Sequence, residues 1–314
     1  MFYFEKGTDA FQAYVSNHPQ IKTSVRKECH FFDKSYRQER LEKAEVIHAR
    51  NRYFGKCFRG TKVRYNDKFY FEKTPSYIHD PFVASRVKRT VPWAKIVFLL
   101  RDPIERAYSA HKMNYQRYCQ KKNCKSELHV GNVTRADLFE KCVDVDVKRL
   151  SEAGILDDDF LQLDDKEIES RWLKYWEMWT KNREDTNLTG ILSICNDRSI
   201  GRRLYFIHLQ QWLKLKSNDE SSWGNNMLIL KSENMKPDTE TNKIDFKPFT
   251  NFIGIEDFEV ISEKTIHATK YFGPMRGQVR RYLMNLLDPF NKKLASILGD
   301  KWKDPWPYDD NRNI

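Results

Sequence analysis

The sequence lacks several of the signals that assign a chain to a common functional class. It has no GxxxxGK[ST] motif, which disfavours an ATPase or a nucleotide kinase. It has no Cys-x-x-Cys pair, and its nearest cysteines, Cys119 and Cys124, have no histidine at zinc-finger spacing, so no metal site is expected. No signal peptide and no apolar run of about 18 residues is visible, so a secretory protein would need a targeting segment outside this sequence.

The sequence does carry a large excess of positive charge. Lys and Arg number 55 against 44 Asp and Glu, which gives a net charge of +11 and a pI of about 9.2. This balance favours a polyanionic partner such as nucleic acid, an acidic glycan, a nucleotide or a membrane surface, and a generally basic surface is the alternative. Hydrophobic residues make up 40% of the chain and aromatic residues 14%, which is enough for a substantial core.

Six cysteines and two glycosylation sequons bear on the cellular compartment. An even number of cysteines is compatible with disulfides but does not specify their pairing. The sequons begin at Asn132 and Asn187, in the stretch that also holds four of the cysteines. Together these features favour a glycoprotein of the secretory lumen.

Short apolar runs alternate with helical patterns along the chain. The predicted strands are Phe2–Phe4, Thr23–Val25, Phe69–Phe71, Ile96–Leu100 and Met227–Leu230. The predicted helices are Thr8–Asn17, Phe82–Thr90, Ile104–Tyr118, Arg198–Leu215 and Gln278–Leu298. Alternating strands and helices predict an α/β fold with a central parallel sheet that helices cover on both faces.

The segment from Tyr118 to Asp197 interrupts this alternation. Because the chain has no internal repeat, low-complexity tract or Gly/Ser linker, we predict one domain, residues 1–314, with an insertion at about 118–197. Within the insertion Trp172, Trp176 and Trp179 share one face of a helix. That face either packs on the core or forms a platform on which sugars stack.

Two stretches at predicted strand ends have the chemistry of an anion site. In EKGTDAF, Lys6, Gly7 and Thr8 form a turn into a helix, where backbone N–H groups and the helix dipole attract anions; a plain turn is the alternative. In LLRDPIERAYSAH, Arg101 follows a buried strand and Ser109 lies two turns into the next helix. Arg101 either binds a phosphate bidentately or pairs with a neighbouring carboxylate.

A carboxylate and an imidazole follow the second predicted strand. RKECHFFDKS places Glu28, His30 and Asp33 within six residues, and Glu28 and His30 would point to the same side of an extended chain. This pair suits proton abstraction from a hydroxyl, and a solvated turn is the alternative. FEKTPSY ends another strand at Lys73, which we expect at the same edge of the sheet.

Several sequence blocks, in order, resemble the PAPS-dependent sulfotransferases, specifically their Golgi carbohydrate branch. The blocks are KGT…NHP, KECHFFD, FEKTPSY, LLRDPIERAYSAH, GRRLYFIHLQQWLKL…SENM and FGPMRGQVRRYLMNLLDPFNKKLASILGD. In detail, GPM and PFNKKLASILGD look most like the chondroitin N-acetylgalactosamine 4-sulfate 6-O-sulfotransferase group. The resemblance covers nearly the whole chain outside about 118–197.

The resemblance implies a fold, a sulfuryl donor and the residues that hold it. The family fold is a single α/β domain of the P-loop nucleotide-kinase type, and the donor is PAPS, used without a metal. Matched motif by motif, the donor-binding residues would be Lys6, Gly7 and Thr8 at the 5′-phosphosulfate, Arg101 and Ser109 at the 3′-phosphate, and Arg276 and Gly277 in the loop that covers the nucleotide.

The resemblance also implies roles around the reacting centre. Glu28 matches the general base of the heparan sulfate relatives. His30 and Asp33 match neighbouring active-site positions, and Lys73 stands where a lysine lies near the reacting centre. Lys6 and Lys73 would neutralise charge on the sulfuryl group and on the departing phosphate.

One position departs from the family pattern Lys-x-Gly-Thr. The residue three places before Thr8 is Glu5, and Lys6 stands one place later. A carboxylate facing a phosphosulfate would repel it by about 1–4 kcal/mol, depending on the local dielectric. Either the loop shifts its register so that Lys6 takes over, or donor binding is weakened.

The sequence therefore predicts transfer of a sulfuryl group from PAPS to a carbohydrate hydroxyl, on an acidic glycan of glycosaminoglycan type, in the Golgi lumen or secretory pathway. Arg202, Arg203 and Tyr205 are the predicted acceptor contacts, with core packing as the alternative for Tyr205. A catalytically weak protein that binds acidic glycans, or a small-molecule sulfotransferase, is the alternative function. Nucleic acid is not an expected partner, and a membrane is expected only through an anchor outside this sequence.

Overall fold

The computed structural model describes residues 3–4, 8–59, 69–122, 129–130, 133–181, 194–195, 198–216, 223–235, 238, 240–241, 243–258 and 274–306. Its strands are β1 (Tyr3–Phe4), β2 (Ile21–Thr23), β3 (Phe69–Phe71), β4 (Ile96–Leu100), β5 (His129–Val130), β6 (Val133–Thr134) and β7 (Met227–Lys231). Its α-helices are α1 (Thr8–Ser16), α2 (Tyr36–Gln38), α3 (Val46–Phe58), α4 (Val83–Thr90), α5 (Pro103–Lys122), α6 (Arg135–Glu152), α7 (Asp165–Lys181), α8 (Tyr205–Leu213), α9 (Lys247–Ile253) and α10 (Gly277–Leu298).

The chain divides into two compact units. The first comprises Met1–Arg101 and Gln211–Thr269, and the second comprises Asp102–Gln210 and Lys270–Ile314. All of the parallel strand pairs among the described residues lie in the first unit. Parallel strands with helices between them confirm the predicted α/β fold class.

A three-stranded parallel sheet forms the centre of the first unit, in the order β1-β4-β7. All five residues of β4 are buried, as its unbroken apolar sequence predicts for a strand covered on both faces. Phe11 of α1 stacks on Phe246 and meets Phe249 of α9 edge-on, with both ring centroids 5.1 Å away. These rings join Val97 and Leu99 in one buried cluster, so that α1 and α9 are held to the sheet by apolar burial.

A second parallel pair, β2 and β3, positions the loops of interest. Thr23 lies opposite Phe71, and the ladder ends when Ser24 N–H donates to the carbonyl of Phe71 at 2.8 Å. The strand predicted at Thr23–Val25 is therefore found two residues earlier, because Val25 leaves the ladder and donates its N–H to Cys57 at 2.9 Å. Both strands end at the same edge, which brings the loops that follow them together.

Helix α3 was not among the predicted elements. Its buried residues Ala49, Tyr53 and Cys57 recur every four positions, so that one face packs inward. The rest of the helix is rich in arginine and lysine, which hides this pattern from a search for apolar runs. A disulfide between Cys29 and Cys57 fastens the helix to the loop after β2, with the Cα atoms 5.6 Å apart.

In the second unit, α6 and α7 lie within the predicted insertion and pack on each other. Trp172, Trp176 and Trp179 are all buried, as the packing interpretation of their helix face predicts. Asp146 of α6 is completely buried and accepts hydrogen bonds from the Tyr175 hydroxyl at 2.7 Å and the Trp179 indole at 3.2 Å. A buried carboxylate needs such partners, so Asp146 ties the two helices together.

Candidate active site

The loops after β2 and β3 meet at the carboxyl edge of their strands. His30 N–H donates to the Thr74 hydroxyl at 3.2 Å, which joins the first loop to the second. The carboxyl ends of parallel strands are where α/β proteins bind ligands. The topology therefore brings Glu28, His30 and Asp33 to the edge that also carries Lys73, as the order of strands and motifs predicts.

Glu28, His30 and Asp33 form a continuous chain of carboxylate, imidazole and carboxylate. Glu28 Oε2 lies 3.1 Å from His30 Nε2, and Asp33 Oδ2 lies 2.8 Å from His30 Nδ1. The hydroxyl of Ser76 donates to the same Asp33 oxygen. Glu28 is the most accessible of the three, with 37% of its side chain exposed against 27% for His30 and 7% for Asp33. An approaching hydroxyl would therefore reach Glu28 first.

The charge state of His30 follows from these contacts. Burial opposes the cationic form, but hydrogen bonds to Asp33 and Glu28 outweigh it and raise the pKa of His30 to about 9. Burial would likewise raise the pKa of Asp33, yet hydrogen bonds from His30 and Ser76 lower it. At neutral pH His30 is therefore an imidazolium, whose ring nitrogens donate to the side chains of Glu28 and Asp33.

Aromatic packing fixes the backbone of the loop that carries Glu28, His30 and Asp33. His30 has φ 52° and ψ 37°, a left-handed conformation that histidine adopts more readily than most residues, and a π-helical turn at Phe31–Ser35 follows it. The N–H groups of Phe31 and Phe32 donate to the Tyr77 hydroxyl at 2.9 and 3.2 Å. Arg86 donates to the carbonyl of Phe32 at 2.7 Å. Because the rings of Phe31, Phe32 and Tyr77 are fully buried, they fix the loop that carries His30 and Asp33.

A second buried carboxylate lies behind the loop. Glu72 is completely buried and accepts a hydrogen bond from the Thr74 hydroxyl at 2.9 Å. Burial raises its pKa to about 7, and the bond from Thr74 opposes the shift without cancelling it. Glu72 thus acts on the site through Thr74, whose oxygen also accepts the N–H of His30.

Lys73 lies between Glu72 and Thr74 at the carboxyl end of β3 and is completely buried. This is the sheet edge predicted for it. Its proposed role near the reacting centre stays a prediction.

Several of the predicted donor-binding residues lie in the first unit, next to β1 and β4. Phe4 lies opposite Leu99 in the parallel β1–β4 pair, so the carboxyl end of β1 and Arg101 after β4 lie at one sheet edge. Helix α1 begins at Thr8, and helix N-termini attract anions. Lys6 and Gly7 lie outside the described residues, as does Glu5. An arginine at the carboxyl edge of a parallel sheet suits a phosphate-bearing ligand.

The other predicted donor-binding residues lie in the second unit. Ser109 is in the second turn of α5, and Gly277 is the first residue of α10. Arg276 forms ion pairs with Asp137 at 2.5 Å and Glu140 at 3.2 Å. A nucleotide would have to compete with these two carboxylates for the Arg276 guanidinium.

The predicted acceptor contacts also lie in the second unit, and two of them are inaccessible. Arg203 and Tyr205 are each 1% exposed. The Tyr205 ring packs 5.7 Å from that of Trp306, and the Arg203 guanidinium donates to the carbonyl of Arg106 at 3.4 Å. Arg202 is half-buried. This placement favours the packing interpretation for Tyr205, and it extends that interpretation to Arg203.

Sequence reasoning missed the polar residues that support the site. Thr74, Ser76 and Tyr77 all contact the Glu28–Asp33 loop or its backbone, and Glu72 supports Thr74. The available signal was their position, since all four lie within or directly after FEKTPSY at a predicted strand end. The loop that these residues contact depends on the pairing of β2 with β3, and the sequence of neither strand specifies that pairing.

The part of the chain that the structure describes holds neither a metal-binding cluster nor a membrane-spanning helix. No cluster of three or more His, Cys, Asp or Glu side chains in that part of the chain could hold a metal ion. None of the helices there combines the length and the apolar character that crossing a membrane requires.

Comparison with known proteins gives two informative matches. The chain is 23% identical over 323 aligned positions to the membrane-associated sulfotransferase kil1 of Dictyostelium discoideum, covering 95% of this chain and 64% of that protein. It thus spans less than two thirds of that relative's length. A crystal structure of a sulfotransferase from Alicyclobacillus acidocaldarius superposes with a TM-score of 0.53 at 17% identity, covering 96% of this chain and 98% of that one.

No protein-family model matches the chain. The structural match establishes the fold, and the sequence match extends along nearly all of this chain. The carboxylate–imidazole site lies in the first unit of that fold, at a sheet edge suited to anionic ligands. The chain therefore has the sulfotransferase fold, and along nearly all of its length its sequence is similar to that of a membrane-associated sulfotransferase.

Proposed function

We propose that this protein is a PAPS-dependent sulfotransferase that sulfates a hydroxyl of an acidic glycan. The observation that carries the proposal is the chain Glu28–His30–Asp33, which ends in an accessible carboxylate at the carboxyl edge of a parallel sheet. The sulfotransferase fold and the similarity to kil1 support the reaction class.

In the proposed reaction Glu28 accepts the proton of the acceptor hydroxyl. His30 cannot be the base at neutral pH, because its pKa of about 9 keeps both ring nitrogens protonated. Its Nε2–H instead orients the Glu28 carboxylate, while Asp33 holds the ring from Nδ1. Positioned proton transfer of this kind contributes about 10²–10⁴-fold to a rate.

PAPS, when bound, supplies the sulfuryl group and carries away the electron pair of the broken S–O bond as PAP. Lys6, Gly7, Thr8 and Arg101 would hold its phosphates at the edge of β1 and β4, and Ser109, Arg276 and Gly277 are assigned to it by the motif resemblance alone. Lys73 would stabilise the charge that builds up on the transferred group, since preorganised cations act most strongly in a dry site.

The finer assignment is to the Golgi carbohydrate branch, near the chondroitin N-acetylgalactosamine 4-sulfate 6-O-sulfotransferase group. It rests on the blocks KECHFFD and PFNKKLASILGD and on a net charge of +11, which suits an acidic acceptor. Two disulfides, Cys29–Cys57 and Cys142–Cys195, support a secretory compartment, where disulfides persist.

The test is a transfer assay with radiolabelled PAPS across chondroitin, dermatan, heparan and small phenolic acceptors. We expect label in a glycosaminoglycan, and label only in phenols would overturn the carbohydrate assignment. Calorimetry with PAP separates a weak enzyme from a glycan-binding protein. Absence of PAP binding at millimolar concentration, together with no transfer to any acceptor, would overturn the sulfotransferase proposal.

A further inference from the structure

A cleft of about 550 Å³ lies beside the candidate active site in the first unit. It is lined by Arg26, Glu39, Asn51, Arg52, Gly55, Lys56 and Arg59. Four of these residues are cations, and the one carboxylate, Glu39, is already paired with Arg52 at 2.7 Å. The cleft therefore carries a net positive charge that its own residues do not neutralise.

Two of the cations, Arg52 and Lys56, lie one turn apart on α3, and Arg59 directly follows the end of that helix. The residues next to the two helical cations, Tyr53 and Cys57, are buried. Like charges four residues apart destabilise a helix, so Arg52 and Lys56 work against its folding. A row of cations of this kind is suited to binding an anion, which would relieve the repulsion.

One disulfide and one hydrogen bond connect the residues of the cleft to the Glu28–Asp33 loop. The Cys29–Cys57 disulfide joins the residue between Glu28 and His30 to the neighbour of Lys56. Lys56 Nζ donates to the hydroxyl of Ser35, two residues beyond Asp33. Burial and the nearby Arg26 lower the pKa of Lys56, while Glu39 and Asp33 act against the shift, so that cleft and site share one electrostatic environment.

Gly55 keeps the floor of the cleft open. It is exposed in the interior of α3, and a Cβ placed there would meet no atom within 4 Å. Packing therefore does not require glycine at this position. A large side chain at residue 55 would project into open space and fill the cleft without displacing the core.

We propose that this cleft binds an anionic sugar unit of the acceptor, through its sulfate ester or uronate carboxylate, while a neighbouring hydroxyl reaches Glu28. This inference rests on the proposed sulfotransferase function and replaces the buried Arg203 and Tyr205 as acceptor contacts. Three of the lining cations are arginines, whose guanidinium forks suit an oxyanion such as a carboxylate or a sulfate ester. An acidic glycan is the occupant that we assign, because it is the acceptor of the proposed reaction.

Direct binding tests the cleft independently of turnover. The probe is a fluorescent chondroitin 4-sulfate hexasaccharide, followed by anisotropy with the full chain. We expect the double variant Arg26→Glu and Arg59→Glu to weaken binding by at least about tenfold, since two charge-assisted contacts become repulsive. Gly55→Phe should weaken binding to a similar degree by filling the cleft.

The matched control is the double variant Lys148→Glu and Lys301→Glu, which makes the same change in net charge on exposed residues of the second unit. It should bind the hexasaccharide like the unmodified chain. If both double variants bound the hexasaccharide equally weakly, overall charge alone would explain the loss, and the proposed site would be overturned. Circular dichroism of Gly55→Phe should match the unmodified chain, so that its loss of binding reports the cleft.

Further arms identify the ligand. Unsulfated chondroitin retains the carboxylate and should compete more weakly than the sulfated form, whereas desulfated, carboxyl-reduced chondroitin should not compete. Displacement of the hexasaccharide by a poly-glutamate peptide at equal charge concentration would overturn the sugar assignment in favour of an acidic peptide. Full binding by both cleft variants would overturn the cleft itself.

The two proposals can fail separately. If PAP binds and transfer proceeds but the cleft variants bind and turn over acceptor like the unmodified chain, the cleft proposal is wrong and the enzyme proposal stands. If PAP does not bind and no acceptor is labelled, yet the hexasaccharide binds in a manner that needs Arg26 and Arg59, the enzyme proposal is wrong and the cleft stands as a glycan site.

Discussion

Single side chains decide the chemistry of the candidate site. His30 is held between Asp33 and Glu28, and its distances to them of 2.8 and 3.1 Å leave both ring nitrogens engaged. The imidazole is thereby converted from a potential base into a fixed cation. Glu28, the most accessible of the three side chains, is the proton acceptor that we propose.

We expect Glu28→Gln to reduce sulfuryl transfer by about 10²–10⁴-fold, because glutamine keeps the hydrogen bond to His30 but cannot accept a proton. PAP binding, measured by calorimetry, should be nearly unchanged. Glu45→Gln, at an exposed carboxylate that makes no side-chain cap at the start of α3, is the matched control. If Glu28→Gln transferred sulfuryl groups as fast as the control variant, Glu28 would not be the proton acceptor.

The stability of the protein should depend on the charge of His30. Its folded-state pKa of about 9 lies above the ordinary value of 6.5, so its contribution is complete below pH 6.5 and is lost as pH rises through 9. We expect the free energy of unfolding to fall by on the order of 2 kcal/mol across this window, after allowance for partial exposure.

Urea unfolding at about pH 6 and about pH 9.5 measures this loss, and His30→Gln isolates it from other titrating groups. The variant should show a flatter dependence on pH than the unmodified chain. Identical pH profiles for the two proteins would contradict the assignment of a strongly paired imidazolium.

At the scale of elements, loops rather than helices define the site, and a disulfide holds one of them. The Cys29–Cys57 bond joins the loop after β2 to α3, and the bond between Cys142 and Cys195 lies in the second unit. The sequence separations are 28 and 53 residues, so the two bonds should stabilise the fold to a comparable extent.

Replacing either cysteine pair by serine should lower the free energy of unfolding by about 3 kcal/mol. Only the loss of Cys29–Cys57 should also reduce acceptor turnover and hexasaccharide binding, because that bond fixes Glu28 beside the cleft on α3. Activity and binding assays at a temperature below the Tm of each variant separate the loss of stability from the local effect on the site. Equal loss of specific activity in both variants would show that the first disulfide has no local role.

At the scale of the whole molecule, the net charge bears on the kind of partner and the fold bears on where a ligand would bind. A net charge of +11 on 314 residues creates a field that attracts acidic ligands over distances longer than a contact. The fold supplies a parallel sheet whose carboxyl edge is where α/β proteins bind ligands. Neither feature alone selects the acceptor.

The KM for a sulfated glycosaminoglycan should rise several-fold between about 50 and about 300 mM NaCl, because screening shortens the range of the attraction. The KM for a neutral acceptor and the kcat for both should change little. Steady-state kinetics at the two salt concentrations make the comparison. Equal salt dependence for charged and neutral acceptors would assign the effect to the donor or to stability.

The sequence by itself determined the α/β class, the bounds of β3 and β4 and the start of α1, because unbroken apolar runs and amphipathic periods are local properties. It also placed Glu28, His30 and Asp33 in one short loop. Helix α3 escaped, since its cationic face dilutes the apolar signal.

Only the tertiary structure decided which loops meet. The pairing of β2 with β3 brings Thr74 and Ser76 to His30 and Asp33, and a disulfide brings the cationic face of α3 to the same place. It also buried Arg203 and Tyr205, whose chemistry alone had suggested contact with an acceptor. Local sequence sets what a segment can form, whereas burial and long-range pairing set what each side chain can touch.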